Sequence, residues 1–122
     1  MNNTVIATST LLKELKINIS ETEIFTRSIL HNEGDSFEFI SQTLSELNIE
    51  HYAVHVPKDK LYELPLPAIV QLSSKEKSMF YVVTNIIEGF IFLIDEVGER
   101  QIWSHEKFMK LWNGIAMLAM EI

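Results

Sequence analysis

Met79-Phe80-Tyr81-Val82-Val83-Thr84-Asn85-Ile86-Ile87, then Glu88-Gly89, then Phe90-Ile91-Phe92-Leu93-Ile94-Asp95, decides how this chain folds. Two runs of β-branched and aromatic residues flank a pair that can turn, with Gly89 free to take positive φ. That is the pattern of an antiparallel hairpin. Both runs are nearly continuous in apolar residues, so both strand faces are expected to be covered, as in the middle of a sheet. A membrane span is the rival reading. Asn85, Glu88 and Gly89 interrupt the apolar run at its centre, where a charge is costly in lipid, so the sheet is the better one.

Upstream of the hairpin, Ala68-Ile69-Val70-Gln71-Leu72 reads as a strand, and Ser73–Ser78 as a polar loop. Leu64-Pro65-Leu66-Pro67 before it is extended, because a residue preceding proline is pushed out of the helical region. Pro57 starts a turn or short helix through Lys60 and Leu61. Before that, Tyr52, Val54 and Val56 alternate with His51, Ala53 and His55, the two-residue period of a half-buried strand. Downstream, Val97-Gly98-Glu99-Arg100 forms a turn and Gln101-Ile102-Trp103 a short strand. Ser104 caps a helix carrying Phe108, Leu111 and Trp112, which Asn113-Gly114 is expected to stop. Ile115–Met120 is then a last strand, apolar on both faces.

The first half has a different period. Val5, Thr8, Leu11, Leu12 and Leu15 recur at helical spacing over Thr4–Leu15. Ser20-Glu21-Thr22-Glu23 is a capping box, in which hydroxyl and carboxylate each satisfy a free amide at a helix start. Ile24, Phe25, Ile29 and Leu30 supply that helix's apolar face, and Asn32-Glu33-Gly34 ends it. Asp35-Ser36-Phe37-Glu38 repeats the capping logic for a third helix lined by Phe37, Ile40, Leu44 and Leu47. Helices first and a mostly antiparallel sheet after them is α+β organisation.

The 122 residues lack any linker, repeat or low-complexity segment and are expected to form a single domain, 1–122, whose abrupt start would suit a piece cut from something longer. Apolar residues make up 47% and charged residues 22%, ordinary globular values that argue against disorder. Seventeen Asp and Glu against ten Lys and Arg give a net charge of −7, which, with no run of Lys or Arg, argues against a nucleic-acid or anionic-membrane surface built on clustered cations. There is no cysteine, so disulfides, thiolate metal sites and a cysteine nucleophile are excluded, and a cytosolic setting is compatible. Met1-Asn2-Asn3-Thr4 lacks the basic start and long apolar region of a signal peptide.

Little else carries chemistry. Of the four histidines, His51 and His55 are four apart, a ligand spacing on a helix. On a strand that step separates them by roughly 13 Å, so they read as exposed strand residues. His31 sits at a helix end and His105 in a first turn. The carboxylates, including Glu96 and Glu99 flanking Asp95, are scattered and solvated, and the four glycines form no phosphate loop. Met109, Trp112, Met117, Met120 and Phe108 read as core. No metal site and no cofactor is expected.

A family resemblance adds to this. The stretch 64–72, the Phe80-Tyr81-Val82-Val83-Thr84 strand, Asp95, and Phe108-Met109-Lys110-Leu111-Trp112-Asn113-Gly114-Ile115-Ala116-Met117-Leu118 resemble the second half of the bacteriocin-processing cysteine peptidases. These form family thirty-nine of the cysteine peptidases, are papain-like in fold, cut after double-glycine leaders, and are commonly fused to bacterial peptide exporters. The likeness runs from about Thr4 to the C-terminus, although the first half matches only in its pattern of helices. Asp35–Ile49 is similar to a variant of the domain found with bacterial membrane redox proteins.

The resemblance implies a degenerate site. The family's nucleophilic cysteine opens the first helix, here at Asn3 or Thr4, and its catalytic histidine falls at Met79. The aspartate that orients the histidine is matched by Asp95, with Glu96 in place of the usual proline. Thiol–imidazole chemistry needs a polarisable nucleophile and a base in reach of it. Thr4, Thr8 and Ser9 offer hydroxyls but lack that base.

The family likeness, taken with these losses, implies an inactive, leader-peptidase-like domain of the cytoplasm or the cytoplasmic side of a bacterial inner-membrane protein. It would bind or position a peptide segment, or dock onto a membrane exporter or redox protein. The alternatives are a structural module that forms a homodimer through an exposed edge, and a hydrolase with a relocated site. A histidine and a hydroxyl at contact distance in a cleft would favour the hydrolase.

Overall fold

A computed structural model describes residues 3–30, 37–74 and 78–120. Three helices come first: α1 (Asn3–Glu14), α2 (Glu21–Leu30) and α3 (Phe37–Glu46). Strand β1 (Glu50–His55) follows, then a 3-10 helix (Lys58–Glu63), β2 (Ala68–Ser73), β3 (Ser78–Ile87), β4 (Phe90–Ile94), β5 (Arg100–Ser104), α4 (His105–Leu111) and β6 (Trp112–Met120). The Asn32-Glu33-Gly34 stop and the cap at Asp35-Ser36 lie outside the described residues, as does His31.

The strands form a six-stranded sheet in the order β1-β6-β2-β3-β4-β5, with every pairing antiparallel. β3 and β4 turn through Glu88 (φ 37°) and Gly89 (φ 88°), the doubly positive pair that matches the twist of a tight hairpin. Their register runs from Ile87↔Phe90 to Val82↔Ile94, with a bulge between Val83 and Asn85. The hairpin is covered on both faces only near its base. Towards the turn Ile87 and Phe90 are 48% and 53% exposed.

The core is split by the sheet. On one side Val5, Leu11 and Leu12 of α1, Ile24 of α2, and Phe39, Ile40 and Leu44 of α3 pack on Ile69, Phe80, Val82, Ile94 and Met117. On the other, Leu61 of the 3-10 helix and Phe108 of α4 pack on Val70, Val83, Ile91, Leu93, Trp103, Trp112 and Ala116, with Leu118 beside them. Ile69 and Val82 thus face Leu11, Leu12 and Leu44, while Ile91, Leu93 and Leu118 face the opposite layer. In strands buried on both faces, alternate residues serve different layers.

Two termini also differ from expectation. Trp112 is not in the helix: α4 ends at Leu111, and β6 starts at Trp112 and runs through Asn113-Gly114. Gly114 (φ 88°) sits in the strand where its register with β2 shifts, between Val70 and Leu72. A Cβ there would lie 3.2 Å from both His55 Nε2 and the Val56 carbonyl, so the glycine serves close strand approach rather than a helix stop. At α2, Glu23 N–H donates to Ser20 Oγ at 3.1 Å, but the Glu23 carboxylate pairs with Arg27 at 3.3 Å, so the box is half formed. Ser104 caps α4 as expected, accepting from Lys107 N–H at 3.2 Å.

Candidate functional site

α1 meets the sheet at its own first turn. Beyond the last β3–β4 rung, Val82↔Ile94, the main chain of Phe80 has no β4 residue opposite it. Asn3 fills the gap: its Nδ2 donates to the Phe80 carbonyl at 3.0 Å and its Oδ1 accepts from the Phe80 N–H. One carboxamide thus substitutes for a strand rung, directly beside Met79. Thr4 is fully buried, so it presents no group to a cleft. Thr8, also fully buried, donates to the Thr4 carbonyl at 2.7 Å, and Ser9 is 1% exposed. The three α1 hydroxyls that sequence offers as stand-in nucleophiles are all packed away.

Met79 and Asp95 sit at the same end of the hairpin, Met79 near the start of β3 and Asp95 just after β4. Both side chains belong to the α4 side. Met79 lines a small cavity of about 70 Å³ with Leu72, Ser74, Tyr81, Trp103 and Leu111. Asp95, 6% exposed, accepts from Gln101 Nε2, and Gln101 in turn accepts from Trp103 Nε1 at 2.8 Å. The other Asp95 oxygen accepts the N–H groups of Val97 and Glu99 at 3.0 and 2.9 Å. A buried carboxylate requires such donors, and here the turn into β5 supplies them. Asp95 N–H to Glu99 O, 2.9 Å, and Gly98 N–H to Asp95 O, 3.0 Å, close the same turn.

Glu96 is not merely solvated. It accepts the Tyr81 hydroxyl, and its Oε2 is buried without a partner among the described residues. Burial first, then the bond to Glu96 and the negative charges of Glu96 and Asp95, push the Tyr81 phenol well above its ordinary value. Period-two alternation from Met79 places Tyr81 on the Asp95 side, but nothing in the sequence signalled the pair.

The histidines separate. His55 is exposed beside Gly114, and His105 stacks on Tyr62 with ring centroids 5.9 Å apart. His51 is half-buried rather than exposed, because α3 covers it: its Nε2 lies 2.8 Å from Ser41 Oγ and its Nδ1 2.9 Å from the Ile49 carbonyl. Among the described residues, no group of three or more His, Asp or Glu could hold a metal ion, and no helix is long and apolar enough to cross a membrane.

Two grooves meet beside this corner. The first, about 500 Å³, is lined by Thr84, Phe92, Leu93, Arg100, Gln101 and Ile102. Cross-strand pairs Ile87↔Phe90 and Phe92↔Ile102 set four apolar side chains along one face there, with Ile102 61% exposed. The second, about 550 Å³ and more polar, runs between α1 (Ile6, Thr10, Lys13, Glu14) and the Val97–Arg100 turn. Arg100 borders both and bonds Glu14 at 2.8 Å across the seam.

Comparison with known proteins accords with this geometry. A sequence profile described as the Peptidase C39 family matches residues 1–121. Curated protein sequences give no match. The peptidase domain of Streptococcus ComA, a bi-functional ABC transporter involved in a quorum-sensing pathway, superposes with a TM-score of 0.82 at 18% identity, covering 100% of this chain and 95% of that one. A double-glycine-motif protease from an AMS/PCAT transporter, solved with its leader peptide, gives 0.83 at 13% identity, covering 97% and 83%. The Streptococcus mutans ComA peptidase domain with a small-molecule inhibitor gives 0.64 at 21% identity, covering 75% and 79%. At these identities the likeness is one of fold: helices on an antiparallel sheet in the papain-like arrangement of leader-peptidase domains.

Proposed function

Because this chain belongs to the Peptidase C39 family, we propose that it is a non-catalytic member that holds a peptide segment instead of cutting it. Support for inactivity is chemical. The 122 residues contain no cysteine, the Asn3 amide at the nucleophile's position is committed to Phe80, and Met79 at the base's position cannot take a proton. Thr4, Thr8 and Ser9 are buried.

The observation that carries the binding half is the apolar face of Ile87, Phe90, Phe92 and Ile102, which borders the groove at Thr84, Arg100 and Gln101. Exposed apolar side chains in a contiguous set mark interaction surfaces. A shallow groove of this kind suits the apolar stripe of an amphipathic segment, whose anchors recur every three or four residues. The leader peptide bound by the structurally similar AMS/PCAT protease supplies the class of ligand. In this reading the domain positions a leader-type segment for a bacterial membrane exporter or redox protein, on the cytoplasmic side.

Fluorescence polarisation with a labelled double-glycine leader peptide tests this. Binding is expected, with Phe90→Asp and Ile102→Asp each weakening it at least tenfold, ~1.4 kcal/mol, while the thermal midpoint holds and the peptide stays intact. Absence of binding, or binding indifferent to both substitutions, overturns the groove. Cleavage that survives re-purification overturns the inactivity.

A further inference from the structure

Two helical threonines in this chain turn back on their own helix. Thr8 donates to the Thr4 carbonyl at 2.7 Å and Thr26 to the Thr22 carbonyl at 2.9 Å, the usual i−4 pattern. Ser41 of α3 is directed elsewhere, with its Oγ 2.8 Å from His51 Nε2 on β1. The polarity of that bond is fixed from the other side of the ring. His51 Nδ1 lies 2.9 Å from the Ile49 carbonyl, which can only accept, so Nδ1 carries the proton. The neutral ring then presents a lone pair at Nε2, and the Ser41 O–H must donate into it.

A hydroxyl donating to an imidazole whose second nitrogen is anchored is the arrangement of a nucleophile and its general base. Ser41 and His51 are both half-buried, whereas Thr4, Thr8 and Ser9 are closed off. Neither residue lines the two grooves described above, and Ser41 sits inside a helix, where its own N–H is engaged and stabilises no oxyanion. That combination points to acylation without efficient turnover.

We propose that Ser41 is a base-assisted nucleophile that accepts an acyl group from small activated esters. The Oγ–carbonyl bond forms as the bond to the alkoxy or aryloxy group breaks. The Ser41 proton passes to His51 Nε2 and then to the departing oxygen, leaving acyl-Ser41, the free alcohol or phenol, and neutral His51. This chemistry is independent of peptide binding and stands or falls separately from it.

The test uses p-nitrophenyl acetate on the whole chain, followed by peptide mass mapping. Ser45, exposed and one turn further along α3, is the internal control. Acetylation at Ser41 is expected to outrun that at Ser45 by about a hundredfold, the scale of general-base assistance. His51→Gln should bring Ser41 down to the Ser45 level. A purely structural bridge between α3 and β1 predicts that half-buried Ser41 is labelled no more than exposed Ser45 in the unaltered protein. Equal or lower labelling overturns the proposal even if His51→Gln fails to fold.

Discussion

Asn3 and Phe80, 77 residues apart, are joined by a side-chain amide that meets both main-chain groups of one residue, with Asn3 Nδ2 3.0 Å from the Phe80 carbonyl. The start of α1 is thereby fastened to β3 where a β4 partner is missing. Asn3→Ala leaves the N–H and C=O of a buried residue unpaired and should cost about 1–3 kcal/mol in urea denaturation. Asn3→Asp should do no better, since it loses the donor and sets an anion against the carbonyl. A midpoint unchanged by both would show that water replaces the amide freely.

The split core has an additive consequence. Leu12 is fully buried under α1, and Leu93 is 1% exposed on the α4 side of the sheet. Each truncation to Ala should cost about 2–5 kcal/mol through lost burial and the cavity left behind. Because the two sit in separate clusters, the double variant should match the sum within about 0.5 kcal/mol. A larger coupling would mean that the sheet transmits strain between its faces.

Tyr81 makes stability depend on alkaline pH. Burial and the Glu96 bond hold its phenol above the ordinary 10.0. The folded state therefore keeps a proton that the unfolded chain releases, and the stabilisation, intact below about pH 10, is lost as pH rises beyond it. Urea midpoints should fall more steeply between about pH 9 and 11 for the natural chain than for Tyr81→Phe. Parallel slopes would remove Tyr81 as the cause.

Gly89 and Gly114 share a φ of 88° but differ in surroundings. Nothing lies within 4 Å of a Cβ built at Gly89, whereas one at Gly114 meets the Val56 carbonyl at 3.2 Å. Gly89→Ala should cost about 1–2 kcal/mol, the left-handed penalty alone. Gly114→Ala should cost more, because backbone cannot rotate aside as a side chain can. The reverse order in thermal denaturation would place the strained approach elsewhere.

The hairpin and the order of elements were legible because turn chemistry and period are local signals. Glu88-Gly89 between two apolar runs could do little else. The assignment of faces was not legible: Ile91 and Leu93 look the same in sequence as Val82 and Ile94, since a strand buried on both sides carries no polar mark. Trp112-Asn113-Gly114 imitates a helix end, and its conversion to a strand start depends on pairing with β2. Asn3, Met79 and Asp95 were brought forward by family likeness alone. The Asn3–Phe80 and Ser41–His51 contacts depend on how α1 and α3 sit on the sheet, which no spacing rule encodes.

The fastening of Asp95 bears on how lineages of such domains are read. Its donors, Val97, Glu99 and Gln101, all come from the next six residues, so the aspartate shapes the passage into β5 whether or not a histidine stands nearby. Selection on folding alone would keep it after selection on cleavage had ended. A surviving aspartate at this position is therefore weak testimony for surviving peptidase activity. On the reading proposed above, the first turn of the opening helix and the head of the third strand, where the resemblance puts nucleophile and base, are the places that would tell active relatives from inactive ones.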